Sequence, residues 1–249
     1  MGCAECTASA RDAGDSHAVD AVILAAGLGL RLRPHTEHTP KPLLPVQGRP
    51  ILDWILGALP PLVERLAVVV NYRAEQIEEY LRDQQHFGDW RTVYQEVPRG
   101  TGDAFRICQP FLHSDRYLVL NGDDLFAAAD LARLSALPAG VLVHPVNEPR
   151  QFGIAFTNPD GTLRELVEKP ALDGRQLANA GVYVFPRDVF DIELTRSGRG
   201  EYEITEYVSR LAARRPFHTL QASFWVPLGT VEAWQQAANL DLTPCLRGG

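Results

Sequence analysis

Short apolar runs and amphipathic segments alternate along the first half of the chain. Runs at 21–26, 66–70 and 117–120 contain branched residues and are too short for helices, so they predict buried parallel strands. A shorter strand is predicted at 92–95. Helical spacing of apolar residues predicts helices at 50–59, 74–81 and 104–111. This alternation is typical of βαβ units and predicts an α/β fold.

The second half has a different pattern. Apolar segments separated only by short connections predict an antiparallel or mixed extension of the sheet, with strands at 141–145, 153–157, 163–168 and 182–185. The remaining predicted elements are a helix at 204–213, short strands at 217–220 and 223–226, and a final helix at 230–240 capped by Thr230. We therefore expect one domain over 20–243, a Rossmann-like mixed sheet flanked by helices. The polar leader at 1–19 has no hydrophobic signal core and is expected to be disordered.

Composition excludes several classes of function. The 249 residues are 45% apolar, which suits one large α/β domain. A net charge of −7 argues against nonspecific binding to nucleic acid or to anionic membranes. No apolar stretch approaches membrane-spanning length. Cys3 and Cys6 form a Cys-x-x-Cys with no second pair, so a zinc site is not expected, and reduced thiols fit a cytoplasmic protein.

The loop after the first apolar run has the composition of a phosphate site. Gly27 and Gly29 offer bare amides, Arg31, Arg33 and Lys41 offer cations, and later prolines exclude a long helix. It is not a P-loop, because no Gly-Lys-Ser/Thr follows at the required spacing. It also lacks the third glycine of a dinucleotide fingerprint. The structural alternative is a plain turn with solvated arginines.

The whole loop resembles the signature of a known family. It reads Gly-Leu-Gly-Leu-Arg-Leu-Arg-Pro at 27–34 and Thr-Pro-Lys-Pro-Leu at 39–43. This resembles the sugar-1-phosphate nucleotidylyltransferases, the nucleotide-sugar pyrophosphorylases that include glucose-1-phosphate thymidylyltransferases. The resemblance implies that Arg31 and Lys41 hold the triphosphate. It also implies nucleotide contacts along the adjoining backbone, at Leu24, Ala26, Gly27 and Gly29.

Another turn from strand to helix carries a candidate base-reading segment. Gln95 ends the short strand predicted at 92–95, and Gly100 and Thr101 follow in a glycine-rich turn. From the residues alone, Thr101 is expected to cap the next helix. An amide offers both a donor and an acceptor, as base reading requires. The family resemblance implies that Gln95 reads the nucleobase edge, that Gly100 packs on the base, and that Thr101 belongs to the same site.

The turn after the strand at 117–120 carries a candidate metal ligand. Asp123 follows Asn121 and Gly122, and such a carboxylate is either a helix cap or a ligand for a hard cation. The resemblance implies that Asp123 binds Mg²⁺. The role of Asp124 is left open.

Further motifs follow in the order that the family has them. Each is weak alone, since a Glu-Lys pair at a strand edge is usually solvated. The resemblance implies that Lys169 meets the sugar phosphate. It implies a sugar pocket formed by Asn121, Gly153, Glu168, Gly181 and Glu203.

One motif departs from the family pattern. Relatives commonly carry a second metal-binding aspartate in a Trp-x-Asp-x-Gly-Thr segment, whereas Pro227 stands at that position between Trp225 and Thr230. Proline cannot bind Mg²⁺. Three outcomes remain open: Asp123 holds the metal with substrate oxygens and water, another acid substitutes, or activity is lost or altered.

The reaction that the resemblance implies is nucleotidyl transfer. An oxygen of a sugar 1-phosphate attacks the α-phosphorus of a nucleoside triphosphate and releases pyrophosphate. The nucleophile is already an anion, so Arg31, Lys41, Asp123 and Lys169 would act by alignment and charge neutralisation. Two alternatives stay open: a cytidylyltransferase acting on a phosphorylated alcohol or phosphonate, and a catalytically weakened nucleotide-sugar-binding regulatory protein. The base, the sugar and the oligomeric state are undecided, and a homo-oligomer is compatible with the sequence.

Overall fold

The structure, a computed structural model, describes residues 18–248. The strands are β1 (Val19–Leu24), β2 (Pro45–Val46), β3 (Arg49–Pro50), β4 (Val63–Val70), β5 (Trp90–Tyr94), β6 (Arg116–Asn121), β7 (Asp124–Phe126), β8 (Gly140–Val146), β9 (Gly153–Thr157), β10 (Leu163–Glu168), β11 (Gln176–Pro186), β12 (His218–Gln221) and β13 (Trp225–Pro227). The helices are α1 (Ile51–Ala58), α2 (Ala74–Asp83), α3 (Thr101–Arg106), α4 (Ala128–Ser135), α5 (Ile204–Ala212) and α6 (Val231–Gln236). Residues 1–17 of the predicted leader, with Cys3 and Cys6, lie outside the described residues.

The main sheet joins a parallel half to an antiparallel half. Its order is β10-β9-β11-β6-β1-β4-β5, and β8 pairs with β11 and β12. Strand β1 is parallel to β4 and β6, and β4 is parallel to β5. Strand β11 is antiparallel to β6 and β8, whereas β12 is parallel to β8. The predicted α/β class, with its mixed sheet flanked by helices in a single domain, is confirmed.

Apolar residues on both faces of the parallel strands explain why helices cover both sides. Along β1, Ile23 faces one core with α1 and α4, and its neighbour Val22 faces the other with α3 and α5. Side chains alternate between the two faces of a strand, so a continuous apolar run buries both. Phe105 and Tyr207 join α3 and α5 to the second core, with ring centroids 5.8 Å apart. The loops at the strand ends are therefore attached to a sheet that is packed on both faces.

Several predicted boundaries were wrong. The helix expected at 104–111 is α3 at Thr101–Arg106, followed by a 3₁₀ turn whose Pro110 cannot donate a helical hydrogen bond. Strand β11 begins six residues before the predicted 182, because Gly181 interrupts the apolar pattern at a register shift with a φ of +75°. The final helix ends at Gln236 rather than 240. Helix α4 and the small pairs β2–β3 and β7–β13 were not predicted.

No helix within residues 18–248 is both long enough and apolar enough to cross a membrane.

Candidate active site

A cavity of about 560 Å³ opens at the carboxyl ends of β1, β5 and β6. Parallel sheets place ligand sites at this edge. The residues predicted to hold the nucleotide all line it: Leu24, Ala26, Gly27, Gly29, Arg31, Lys41, Gln95, Gly100 and Thr101. Asn121 and Asp123 line it from the end of β6, and Gly229 lines it from the loop after β13. The sequence-predicted nucleotide and metal residues therefore meet in one cavity.

The glycine-rich loop has a defined shape. Gly29 lies in the left-handed region at φ +62°, and a 3₁₀ turn follows at Leu30–Leu32. Thr36 Oγ1 donates to Gly29 O at 2.8 Å, and Leu32 is buried in the core. A Cβ on Gly29 would lie 3.0 Å from Thr36 Cγ2 and 3.3 Å from Lys41 Cβ, so the missing side chain makes room for the stem of Lys41.

Lys41 and Asp123 form an ion pair in the lining of the cavity. Lys41 Nζ lies 2.6 Å from Asp123 Oδ2, although 82 residues separate them. The Lys41 side chain is 7% exposed and the Asp123 side chain 38% exposed, so the ammonium is fixed while the carboxylate remains open to the cavity. Arg31 lines the same cavity, and a Cβ on Gly229 would lie 3.6 Å from its Nη1. Both predicted phosphate cations thus share the cavity with Asp123.

Asp124 points inward and anchors the loop that contains Pro227. Its carboxylate accepts from Trp225 Nε1 at 3.2 Å and from the Leu228 N–H at 3.3 Å. Burial, and then the neighbouring Asp123 carboxylate, raise the pKa of Asp124 above its usual range. Strand register places Pro227 opposite Asp124 in the β7–β13 pair. Asp124 therefore positions this loop, a role that the sequence left open.

The segment predicted to read the base is buried and hydrogen-bonded. Gln95 is 5% exposed, and its Nε2 donates to Asp103 Oδ2 at 3.0 Å and to Gly100 O at 3.2 Å. Gly100 has a φ of +107°, and a Cβ there would lie 2.4 Å from Tyr202 O. Only glycine fits this close approach. The sequence assigned no role to Asp103 or Tyr202, because the contact of Asp103 with Gln95 and that of Tyr202 with Gly100 form only in the folded chain.

Thr101 was expected to cap the helix that it begins, and this was wrong. Helix α3 has no side-chain cap. Instead Thr101 Oγ1 accepts from the Ile204 N–H at 3.0 Å, in the first turn of α5. The Gly102 N–H also donates to Tyr202 O at 2.8 Å. These bonds attach the predicted base-reading turn to the segment that contains Glu203.

The predicted sugar residues make contacts at three places in the fold. A Cβ on Gly181 would lie 2.1 Å from Asn121 Nδ2, so these residues touch. Gly153 and Glu168 are paired across β9 and β10. Glu203 accepts hydrogen bonds beside α5, from Arg199 Nη2 at 2.9 Å and Ser197 Oγ at 3.3 Å. Of the predicted sugar residues, Asn121 alone lines the described cavity.

Lys169 is exposed at the end of β10, outside the cavity lining. Its backbone N–H donates to Phe152 O at 3.0 Å, and Lys169 has a φ of +43°.

The scarcity of lysine is a sequence signal that also points to the predicted site. Of the chain's 24 lysine and arginine side chains, lysine occurs only at positions 41 and 169, both predicted site residues.

The fold is a mixed α/β sheet, and one of its edges carries a glycine-rich loop, a buried lysine and a carboxylate. This combination is typical of α/β proteins that bind phosphate groups. The nucleotidyl transferase family profile matches residues 20–243, and the chain belongs to that family. The family resemblance predicted from the loop is therefore confirmed.

Individual relatives agree with this assignment. The chain is 34% identical to the bifunctional protein GlmU of Methanocaldococcus jannaschii, over 85% of this chain and 51% of the relative. It is 34% identical to the UTP–glucose-1-phosphate uridylyltransferase AglF of Haloferax volcanii, over 78% of this chain and 83% of the relative. A Bacillus anthracis crystal structure, described provisionally as a glucose-1-phosphate thymidylyltransferase and bound to a sucrose, has 27% identity and a TM-score of 0.77. That match covers 91% of this chain and 96% of the other. The chain spans about half the length of the GlmU relatives.

Proposed function

We propose that this protein transfers a nucleotidyl group from a nucleoside triphosphate to a sugar 1-phosphate, giving a nucleotide-sugar and pyrophosphate. The observation that carries the proposal is the single cavity in which the glycine-rich loop, Arg31, the buried Lys41 and Asp123 meet. The name of the AglF relative, a UTP–glucose-1-phosphate uridylyltransferase, supports the same reaction class.

The proposed mechanism rests on alignment and charge neutralisation. The attacking sugar-phosphate oxygen is an anion and needs no general base. Lys41 holds the phosphates near the reacting centre, because its ammonium is fixed inside the cavity wall. Arg31 neutralises the leaving pyrophosphate. Lys169 orients the sugar phosphate, and its exposed position requires the side chain to reach toward the bound substrate.

The residues fit a metal ion that arrives with the triphosphate. Asp123 Oδ1 has no hydrogen-bond partner among residues 18–248, and its side chain is 38% exposed. The same residues contain no group of three or more His, Cys, Asp or Glu that could hold a metal. Mg²⁺ is often bound by one carboxylate together with substrate phosphates, so Asp123 is sufficient despite Pro227. When bound, Mg²⁺ would neutralise charge on the reacting phosphates.

The remaining predicted residues complete the proposal. Gln95 reads the base edge, Gly100 provides the surface on which the base packs, and Thr101 keeps this segment against α5. The sugar hydroxyls are bound beside the cavity by Asn121, Gly153, Glu168, Gly181 and Glu203.

A substrate matrix tests the proposal. Purified protein with Mg²⁺ is given each common nucleoside triphosphate with each of several sugar 1-phosphates, phosphorylated alcohols and phosphonates, and pyrophosphate release is measured. We expect release with at least one triphosphate and a sugar 1-phosphate, and its loss on chelation. Release only with CTP and a phosphorylated alcohol or phosphonate would instead identify a cytidylyltransferase. A triphosphate that raises the melting temperature with no pyrophosphate above background would indicate a binding protein.

A further inference from the structure

Three side chains in and just before the first turn of α2 donate to the loop that joins the two predicted phosphate cations. Tyr72 Oη donates to Glu37 O at 2.6 Å, and Arg73 Nη2 donates to the same oxygen at 3.0 Å. Gln76 Nε2 donates to His38 O at 2.9 Å. Two consecutive carbonyls of an exposed loop are therefore bonded to protein donors rather than left to water. We call these three side chains the α2 clamp.

The clamp is organised around Arg73. Its Nε donates to Tyr72 Oη at 3.1 Å, so the Tyr72 hydroxyl accepts from Arg73 and donates to the loop. Within residues 18–248, the Arg73 side chain makes hydrogen bonds only to Tyr72 and to the loop. Arg73 also has a φ of +53° and a ψ of +43°, which is unfavourable for a residue with a Cβ. Such strain persists where surrounding contacts stabilise it, and it is concentrated near functional sites.

The chain between the clamp and Lys41 is stiff. Thr39 and Pro40 alone separate His38 from Lys41. Pro40 is buried in an extended conformation, its ring fixes its own φ, and it restricts the preceding Thr39 as well. The Leu43 N–H then donates to Pro40 O at 2.9 Å and closes the turn that contains Lys41. A displacement of His38 is therefore passed on to Lys41 instead of being absorbed by the chain.

The clamped loop also contacts the glycine-rich turn. Thr36 directly precedes Glu37, is 2% exposed, and holds Gly29 O through its hydroxyl at 2.8 Å. The residues on both sides of the clamped carbonyls are thus connected to the cavity wall. None of the three clamp residues lines the cavity, so they can reach a ligand only through this loop.

From these contacts we infer that the α2 clamp positions Lys41 for the triphosphate, with Arg73 as its central positioning residue. The inference rests on the proposed function and adds to it a helix that contributes no residue to the cavity lining. The clamp holds the loop, the loop fixes the Lys41 ammonium, and the ammonium binds the phosphates. A shift of about 1 Å in such a group can cost about 100-fold in rate, so release of the clamp should be measurable.

Arg73→Gly is the principal test. Glycine adopts the left-handed conformation without strain, so the variant removes the donors and relieves the backbone together. These effects oppose each other, and the midpoint of urea denaturation should stay close to that of the wild type. We expect kcat/KM for the triphosphate to fall by about tenfold or more, with the KM for the sugar 1-phosphate unchanged. A matching rise in the KM for the sugar 1-phosphate would indicate general loosening of the site and would overturn the inference.

Tyr72→Phe is a second variant that leaves the backbone of Arg73 as it is. It removes the hydroxyl between Arg73 and the loop but keeps the ring, and kcat/KM for the triphosphate should fall by about threefold or more.

Gln47→Gly is the matched control. Gln47 is also left-handed, with a φ of +51°, and its Nε2 donates to the carbonyls of Ala237 at 3.1 Å and Leu240 at 2.7 Å. It follows the loop and is not part of the cavity lining. This variant loses side-chain donors and relieves the backbone as Arg73→Gly does, yet it should keep the wild-type kcat/KM. An equal loss in Gln47→Gly would overturn the inference.

Triphosphate binding separates this inference from the proposed function. The Kd is measured with Mg²⁺ and the common nucleoside triphosphate that most raises the melting temperature of the wild type. If no pyrophosphate is released, the proposed function fails, but a rise in Kd of about tenfold or more in Arg73→Gly, not shared by Gln47→Gly, still supports the inference. Wild-type kcat/KM and Kd in folded Arg73→Gly, or in Tyr72→Phe should Arg73→Gly not fold, would overturn the inference and leave the proposed function standing. A wild type that binds no triphosphate would overturn both.

Discussion

Replacing Lys41 by Met tests whether the ion pair at the cavity serves catalysis or stability. Methionine matches the buried alkyl stem of Lys41 and removes only the ammonium. The group that loses its partner is Asp123, whose side chain is 38% exposed, so water can hydrate the freed carboxylate. The variant also avoids the cost of keeping an ammonium in a site where the lysine side chain is 7% exposed.

The two effects of Lys41→Met should therefore differ in size. We expect the free energy of unfolding to change by no more than about 1 kcal/mol, since the lost attraction and the avoided desolvation oppose each other. In catalysis nothing replaces the ammonium against the phosphates. Removing one fixed charge or donor from such a site costs on the order of 3–4 kcal/mol, so kcat/KM should fall by about 10²- to 10³-fold.

Urea denaturation and pyrophosphate release, measured on the same preparation, separate the two quantities. Arg164→Met is the control, because Arg164 is a 57% exposed cation on β10, pairs with Glu165 at 3.2 Å and is not part of the cavity lining. It should leave both quantities close to those of the wild type. The reasoning is refuted if Lys41→Met keeps near-normal turnover, or if its activity falls only in proportion to a large loss of folded protein.

Three other substitutions test neighbouring parts of the site. Gly181→Ala places a Cβ 2.1 Å from Asn121 Nδ2 at a φ of +75°. It should lower the free energy of unfolding by about 1–3 kcal/mol and raise the KM for the sugar 1-phosphate, and unchanged denaturation and KM would contradict this. Thr101→Val removes the acceptor for the Ile204 N–H and should cost about 1–2 kcal/mol in urea denaturation, whereas Thr101→Ser should retain most of the stability. Asp123→Asn should abolish the dependence of pyrophosphate release on Mg²⁺ concentration together with most of the rate, and a normal metal titration would exclude Asp123 as the ligand.

The parallel half of the fold could be predicted because each strand buries both faces and so reads as a continuous apolar run. The run at 21–26 and the glycines after it place the glycine-rich loop at the edge of the sheet where the cavity opens. Strand β11 was predicted too short because its first half is bordered by Gly181, whose left-handed conformation interrupts the apolar pattern. In the first half of β11, pairing with β8 stabilises the extended conformation. The residues of β11 alone do not show which strand they will pair with, so this half could not be predicted from them.

The candidate site shows the same contrast between residues that stand in local sequence motifs and residues whose contacts are distant in sequence. Arg31 and Lys41 could be predicted as site residues because they stand in the loop motif of the family, and Asp123 because it stands in a second motif after β6. The partner of Gln95 is eight residues away on the next helix, and the partner of Thr101 is 103 residues away, so neither contact has a local signal. The role of Asp124 could not be predicted either. Its hydrogen-bond partners, Trp225 and Leu228, lie 101 and 104 residues further along the chain.

The central claim is that a triphosphate is split between its α- and β-phosphates in this cavity. Phosphorus NMR of the wild-type protein with Mg²⁺, the preferred triphosphate and a sugar 1-phosphate tests it most directly. We predict that the diphosphate signals of a nucleotide-sugar and the signal of pyrophosphate grow in equal amounts as both substrates decline. Orthophosphate in place of pyrophosphate, or substrates that persist unchanged while the triphosphate binds, would contradict the account.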